Sequence, residues 1–287
     1  FCCTGDEAEG DPLAYRQLVQ ATKEADMAIV RCMSDPHKFK RFERYEKLLK
    51  GIDGYVIIHS GDADVRLSYR DLFKGTDEDF VLLSRYLSYR GLENERGPIL
   101  WLNRALGGRD IPLPEPFRQR GDGIYHPLMD RDISLDSYLG RLDPELPTVG
   151  LMFTANYWIY DNTDHIDALI LGLEDLDVNV LPIFFSVQTS KAEGAEGTID
   201  IVRRYMMDGD RPRIDALIIN SPFSQLMNSR EDGGMTARDE ENFFKMLLDV
   251  PVFQAMTVNG RYVDFEGTAE GLGRAEISLQ VAWPEVD

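Results

Sequence analysis

Cysteine is scarce in this chain of 287 residues, which has three in all. Cys2 and Cys3 are adjacent and lack the two-residue gap of zinc and redox motifs, while Cys32 lies inside an apolar run. An odd count without the spacing of a disulfide framework indicates a reducing compartment. We therefore expect a cytoplasmic protein.

Long hydrophobic runs and positive charge are also missing. No apolar run approaches the roughly 20 residues that a membrane-spanning helix needs. Lys and Arg total 31 against 50 Asp and Glu, for a formal net charge of -19. A surface this acidic repels phosphate backbones and anionic lipids, so we expect no nucleic-acid partner and no membrane span. The acidity serves solubility or attracts cations, and composition does not separate the two.

The ends of the chain indicate a piece of a longer protein. The sequence opens with FCCTGDEAEGD, which has no initiator Met and no secretion signal. It stops at QVAWPEVD, directly after an apolar run. We therefore expect a fragment.

Short apolar runs alternate with helix-like segments along the sequence. A hydrophobic fraction of 43% supports a folded core, and the alternation predicts an α/β fold in which helices cover both faces of parallel sheets. We predict two doubly wound parallel-sheet units joined by a Pro/Gly-rich loop segment. The predicted strands are 27–33, 54–60 and 97–103 in the first half, and 148–156, 178–186, 214–222, 250–256 and 277–283 in the second.

A segment dense in Gly and Pro interrupts this alternation. We predict a first α/β domain over 1–106, a linker and loop segment over 107–147, and a second, truncated α/β domain over 148–287. The linker contains DGIYHPL at 122–128, in which Pro127 pushes His126 toward an extended conformation. Because this stretch carries too much apolar surface for a solvated tether, we expect it to dock onto the second domain.

Ligands of open parallel sheets bind beyond the carboxyl ends of the strands. The residues there are mostly aromatic residues and amides, and the chain contains neither G-x-G-x-x-G nor a Walker A sequence. We expect no nucleotide site, but a site for a flat, partly apolar organic ligand. The candidate ligand-binding residues are Tyr125, Tyr157, Trp158, Phe223 and Gln254. The aromatic ones fit the core equally well.

Several short motifs follow one another in a specific order. GIYHP comes first, then VGLMF, YW, IDALILGLE and NVLPIFFS, and finally DALIINSPF, VPVFQAM and QVAWPEVD. With this order and spacing, the sequence from about Ala25 to its end resembles the large subunit of the cobaltochelatase and magnesium-chelatase family (CobN type or H-subunit type). VPVFQAM and DALIINSPF are more similar to the cobalt branch than to the magnesium branch.

The resemblance implies a tetrapyrrole-binding subunit of an ATP-dependent chelatase, a ligase that forms nitrogen–metal bonds. Its substrates would be a divalent metal, cobalt or magnesium, and a corrin or porphyrin ring. Separate AAA+ ATPase subunits would be the partners that hydrolyse ATP, which agrees with the missing phosphate-binding loop. We expect the chain alone to be inactive.

Metal insertion needs a base that removes pyrrole protons and groups that strip water from the ion. Imidazole titrates near about pH 6.5, which suits the base, and a carboxylate can guide the metal. We predict His126 and Glu285 as catalytic and metal-binding residues that face one cleft at the carboxyl edge of the second sheet. Either could instead be an ordinary loop or capping residue. His59 is predicted to be structural, and His165, in the first turn of a helix, to be solvated.

A non-catalytic two-domain α/β module that binds a small ligand is the alternative. The Pro/Gly-rich stretch would then be a hinge, and the aromatic residues at strand ends would form the pocket. Tetrapyrroles distinguish the two hypotheses, because a chelatase subunit should bind them and a sugar or amino-acid binder should not.

Overall fold

The computed structural model describes residues 1–32, 36–38, 41–60, 62–107, 110–186, 197–221 and 247–257. It divides the chain into two compact units, Phe1–Gln119 and Arg120–Asp287. The last part of the Pro/Gly-rich stretch, including DGIYHPL, therefore belongs to the second unit.

The first unit combines helices with one short parallel sheet. Met27 pairs with Tyr55 at one end of this sheet and Cys32 with Ser60 at the other. Its elements are α1 (Gly5–Gly10), α2 (Pro12–Glu24), β1 (Met27–Cys32), a 3-10 turn (Pro36–Lys38), α3 (Phe42–Lys50), β2 (Tyr55–Ser60), α4 (Ala63–Ser68), a 3-10 turn (Arg70–Leu72), α5 (Asp77–Tyr89) and α6 (Leu92–Gly107).

The predicted strand 97–103 is wrong, because these residues form part of helix α6. Trp101 on this helix is buried against the rings of Tyr55 and Phe73, and Gly97 lies directly against the ring of Tyr86 on α5. A buried helix segment and a buried strand both appear as a continuous apolar run, so the pattern alone does not separate them. The described sheet of the first unit consequently has two strands.

The second unit contains a five-stranded sheet in the order β3-β5-β4-β8-β9. All neighbours are parallel except β3, which is antiparallel to β5. The parallel α/β architecture is thus confirmed. The elements are β3 (Asp122–Ile124), α7 (Leu135–Leu139), β4 (Thr148–Thr154), α8 (Ala155–Ile159), α9 (Asp164–Glu174), β5 (Asn179–Phe185), α10 (Thr198–Met206), β6 (Met207–Asp208), β7 (Arg211–Pro212), β8 (Ala216–Asn220) and β9 (Val252–Gln254).

The central strands of this sheet are buried on both faces. Met152 and Ile183 pack on the face covered by α10, whereas Phe153 and Phe184 pack on the face covered by α8 and α9. Strands buried on both faces are apolar at nearly every position, which is why β4 and β5 were visible in the sequence. The predicted strand 277–283 lies outside the described residues.

The DGIYHPL stretch is anchored to the second sheet. Asp122 pairs with Phe185 and Ile124 with Ile183, and the backbone N–H of Tyr125 donates to the carbonyl of Pro182 at 3.1 Å. The expected docking onto the second unit is therefore confirmed. Since β3 is antiparallel to β5, the chain runs from the carboxyl edge at Asp122 toward the amino edge.

Candidate functional site at the carboxyl edge of the second sheet

The strand order predicts a ligand site beyond the ends of β4 and β8. From β4 the chain passes to β5 on one side, and then crosses over to β8 on the other side of β4. Open α/β sheets bind their ligands in a crevice at such a switch point. Helix α8 and the start of α9 follow β4 at this edge, and Ser221 follows β8.

Asn220 is the last residue of β8 and Ser221 follows it, and both are only 3% exposed. The Nδ2 of Asn220 donates to the carbonyl of Ala255 at 3.0 Å and to the Oγ1 of Thr257 at 3.1 Å. Its side chain also forms a hydrogen bond with His165, whereas the Oγ of Ser221 is buried without a hydrogen-bond partner among the described residues. A buried hydroxyl without a partner is costly and rare, so Ser221 is a sign of a ligand site.

His165 lies beside Asn220 at the same edge. It is the second residue of α9, and its ring lies perpendicular to that of Tyr157 with 4.4 Å between the centroids. Burial lowers the pKa of His165, and a side-chain hydrogen bond with Asn220 and the carboxylates of Asp167 and Asp164 oppose this only in part. His165 is thus half-buried between Tyr157 and Asn220, contrary to the solvated residue that we predicted.

Hydrogen bonds between side chains and backbone fix the geometry of this edge. The Nε2 of Gln254 donates to the carbonyl of Ser221 at 3.2 Å, and the hydroxyl of Tyr157 donates to the Oγ1 of Thr257 at 3.5 Å. Two predicted ligand-binding residues, Tyr157 and Gln254, thus lie at this edge. We call this group of residues the carboxyl-edge site: Tyr157, His165, Asn220, Ser221, Gln254 and Thr257.

Trp158 is a core residue and not a ligand platform. It is 5% exposed, and one face of its ring stacks on Phe184 with a centroid distance of 4.3 Å. The guanidinium of Arg131 lies 4.4 Å from the ring centroid. Because neighbouring side chains occupy the ring faces, Trp158 has no surface for stacking on a tetrapyrrole. The prediction of a ligand-binding role for Trp158 is therefore corrected.

Tyr125 links the docked loop to the start of α9. Its hydroxyl donates to the Oδ1 of Asp167 at 2.7 Å and lies 2.9 Å from the Oγ1 of Thr163. Burial and the carboxylate of Asp167 raise the pKa of Tyr125 to about 12. Its ring packs edge-to-face on Phe153. In this structure Tyr125 holds the loop in place, and its hydroxyl is engaged within the protein.

His126 lies away from the carboxyl edge. Beyond Ile124 the loop follows β5 toward its amino end, and the Nε2 of His126 contacts both carboxylate oxygens of Glu174, at 3.1 and 3.2 Å. Glu174 is the last residue of α9, from which the chain turns to begin β5. The expectation that His126 borders a cleft at the carboxyl edge is therefore wrong, since the antiparallel β3 carries it to the opposite side.

Both ring nitrogens of His126 are engaged within the protein. The side chain is buried, and Nδ1 accepts a hydrogen bond from the backbone N–H of Leu128 at 3.2 Å. Because Nδ1 accepts, the ring proton lies on Nε2 and is donated to Glu174. This arrangement fixes the loop conformation and leaves neither nitrogen open to a substrate or a metal.

Comparison with known proteins identifies the family of this chain. Residues 84–287 match the family model described as CobN/Magnesium Chelatase. The chain belongs to the CobN/magnesium chelatase family. The resemblance seen in the sequence motifs is thereby confirmed.

Relatives of this chain occur in bacteria and archaea. The H subunit of magnesium chelatase from Cereibacter sphaeroides is 29% identical over 290 residues, which cover 98% of this chain and 21% of that protein. An uncharacterized protein of Methanocaldococcus jannaschii is 28% identical over 209 residues, which cover 71% of this chain and 16% of that protein. The chain thus spans about a fifth or less of the length of these relatives.

A solved structure of the family shares the fold. The catalytic subunit of cobaltochelatase from Mycobacterium tuberculosis superposes with a TM-score of 0.59 over 96% of this chain and 21% of that chain. The sequence identity is 16%, so this likeness supports the α/β fold and no residue role.

Two predicted site residues of this CobN/magnesium chelatase family member, Phe223 and Glu285, lie outside the described residues. Within the described ranges, no group of three or more His, Cys, Asp and Glu side chains could hold a metal ion. No described helix is long and apolar enough to cross a membrane. The carboxyl-edge site therefore consists, in its described part, of neutral polar and aromatic side chains.

Proposed function

We propose that this chain is part of the tetrapyrrole-binding large subunit of a metal chelatase, and that the ring binds at the carboxyl-edge site. The observation that carries the proposal is the group of polar side chains at the switch point, Asn220, Ser221 and His165, in which the buried Oγ of Ser221 has no hydrogen-bond partner among the described residues. A protein that keeps a buried hydroxyl without an internal partner loses stability, which selection tolerates where a ligand completes the hydrogen bond.

The chemistry of the site fits a flat neutral ring. Tyr157 supplies aromatic surface, and the amides and hydroxyl around it can pair with the polar groups of a macrocycle. Asn220 Oδ1 is an acceptor, and a free-base tetrapyrrole offers pyrrole N–H donors. No arginine or lysine forms part of the described site, which agrees with the absence of phosphate-binding motifs in the sequence.

The reaction that we propose inserts a divalent metal, cobalt or magnesium, into a corrin or porphyrin. The metal is a substrate that must lose water ligands while the ring loses two protons. A formal net charge of -19 would help to attract the divalent cation. We propose that separate AAA+ ATPase subunits supply ATP hydrolysis, as the family resemblance implies; this chain contains no Walker A sequence.

Removal of one unpartnered hydroxyl tests this function. In the full-length protein, Ser221→Ala should weaken binding of a free-base porphyrin or corrin by about 5- to 20-fold, the effect of one hydrogen bond. Binding can be followed by the absorbance and fluorescence of the ring. The same substitution should leave the fold as stable or more stable, because it removes a buried hydroxyl without a partner.

Ser84 provides the matched control. Its hydroxyl on α5 is also buried without a hydrogen-bond partner among the described residues, but it belongs to the first unit. Ser84→Ala should have a similar effect on stability and none on ring binding. If the wild-type protein binds neither ring, or if Ser221→Ala and Ser84→Ala bind equally well, the proposed site is wrong.

A further inference from the structure

We propose that the carboxyl edge of the first sheet binds an oxyanion of a small molecule, a carboxylate or a phosphate, through the side chains of Arg31, Arg66 and Arg90. We call these three residues the arginine cluster. The cluster is a local concentration of positive charge in a chain whose formal net charge is -19. It lies entirely in the first unit, so the inference does not depend on ring binding by the second unit.

The arginine cluster lies at the end of strand β2. Arg31 on β1 is the pairing partner of His59 on β2, so the two side chains lie on the same face of the sheet. At the next position of β2, the carbonyl of Ser60 accepts a hydrogen bond from Nη1 of Arg66 on α4. Arg90 follows the last residue of α5, and its charge acts on His59. Three separate elements thus bring guanidinium groups to the end of one strand.

The pKa of His59 reflects this excess of positive charge. Burial of the ring and the charges of Arg66, Arg31 and Arg90 lower the pKa of His59 to about 4. From α6, the carboxylate of Glu95 pairs with Arg31 and offsets one of the three charges. The Nδ1 of His59 is buried without a hydrogen-bond partner among the described residues, which is a further sign of a ligand site. A bound oxyanion would compensate the remaining positive charge.

Arg90 has a backbone conformation that few residues tolerate. Its φ is 57° and its ψ is -177°, a region that is occupied almost only by glycine. Its N–H donates to the carbonyl of Tyr86 at 3.3 Å, and its carbonyl accepts from the Nδ2 of Asn94 at 2.6 Å. Backbone strain of this kind concentrates at functional sites. The chain thus keeps an arginine where glycine would fit with less strain, as expected if the guanidinium has a function.

Solvent reaches the arginine cluster. The side chain of Arg31 is 44% exposed, and Arg66 and Arg90 are partly exposed. Guanidinium groups stay charged at physiological pH and match the geometry of carboxylates and phosphates. The contact between Arg31 and Glu95, with Nη2 at 2.6 Å from both carboxylate oxygens, shows this chemistry within the protein. The ligand that we infer therefore carries at least one carboxylate or phosphate group.

Binding of simple oxyanions to the full-length protein tests the inference. The probes are inorganic phosphate and citrate, with chloride at equal ionic strength as the reference. Amide hydrogen exchange should slow at 57–60 and 88–92, the end of β2 and the turn between α5 and α6. The pKa of His59 should rise on binding, because a nearby negative charge favours the imidazolium. Exchange of the ring C2 hydrogen, followed by mass spectrometry, measures this pKa.

Two variants each remove one guanidinium group. Arg90→Gly also relieves the strained backbone, so the first unit should stay folded. The affinity for the anion should fall about 10-fold, the effect of one hydrogen bond to a charged group. Arg66→Gln should cause a similar loss. Arg96→Gln is the matched control, because Arg96 lies on α6 with its side chain 66% exposed and paired with Glu93. It should keep the wild-type affinity within about 2-fold.

The two probes distinguish the possible sources of the oxyanion. Tighter binding of citrate supports a polycarboxylate ligand, and tighter binding of phosphate supports a phosphorylated one. If neither anion binds better than chloride, or if Arg96→Gln weakens binding as much as Arg90→Gly, the inference is wrong. The proposed function would remain intact in that case, because ring binding is measured separately and concerns the second unit.

Discussion

Substitution of His126 tests whether this histidine has a structural role or a catalytic one. The residue is 4% exposed, and its two nitrogens connect the backbone of the docked loop to the last residue of α9. We expect His126→Ala to loosen this loop and lower stability while the pH profile of metal insertion stays unchanged.

The magnitude follows from the two hydrogen bonds that are lost. Without His126, the Leu128 N–H loses its acceptor, which costs about 0.5–1.5 kcal/mol because Leu128 is exposed and water can replace the acceptor. The bond to Glu174 adds less than about 1 kcal/mol, because the carboxylate side chain is 38% exposed and can be hydrated. The expected loss is about 1–2 kcal/mol.

Glu174→Gln is the matched control for this experiment. The amide oxygen of Gln can still accept from Nε2–H, and the change removes a negative charge from the carboxyl-terminal end of α9, where the helix dipole disfavours it. The expected change in stability is therefore within about 1 kcal/mol of the wild type.

Amide hydrogen exchange of residues 122–130 measures the local opening free energy in the full-length protein. Faster exchange in His126→Ala and near-normal exchange in Glu174→Gln are the expected results. Unchanged exchange in His126→Ala, combined with a 100-fold slower metal insertion (about the contribution of a general base), would show that the structural role is wrong and that His126 takes part in the chemistry.

Further predictions concern two glycine positions and a half-buried histidine in the described structure. Gly97→Ala should destabilise the first unit by about 1–3 kcal/mol, because a Cβ there would lie 2.5 Å from the ring of Tyr86. Gly172→Ala should stabilise α9 by about 0.5–1 kcal/mol, because no atom lies within 4 Å of the added Cβ. Thermal unfolding of the two glycine variants and the wild type measures both effects. Burial lowers the pKa of His59 from 6.5 to about 4, with nearby arginines adding to the shift. Between pH 6.5 and about pH 4 the unfolded chain therefore binds more protons than the folded chain. The free energy of unfolding should fall by about 2 kcal/mol as the pH drops through this range, a value reduced because His59 is partly exposed to solvent. His59→Gln should remove this dependence, as read from amide exchange of β2, and an unchanged pH dependence would refute the assignment.

The central strands of the second sheet were predictable from the sequence because their environment leaves a local signature. β4, β5 and β8 are buried on both faces, so nearly every residue is apolar, and α9 shows its buried stripe at Ile166 and Ile170. The same continuous apolar pattern led to a wrong strand prediction at 97–103, because these residues belong to a helix that is buried against aromatic rings.

The placement of site residues depends on contacts that no local pattern encodes. His126 meets Glu174 across 48 positions of sequence, and β3 is only three residues long, so neither the hydrogen-bond partner nor the direction of the loop was visible. Strand ends did indicate Tyr157 and Gln254, because the carboxyl edge follows from the order of the elements. The partial burial of His165 could not be predicted, since its neighbours Tyr157 and Asn220 lie on other elements.

Binding of a tetrapyrrole at the carboxyl edge of the second sheet is the central claim. Amide hydrogen exchange of the full-length protein, measured with and without a free-base porphyrin or corrin, tests it most directly. The ring is expected to slow exchange at 154–158, 220–221 and 254–257, the ends of β4, β8 and β9. Ring binding that leaves these three segments unchanged and slows exchange elsewhere would contradict it.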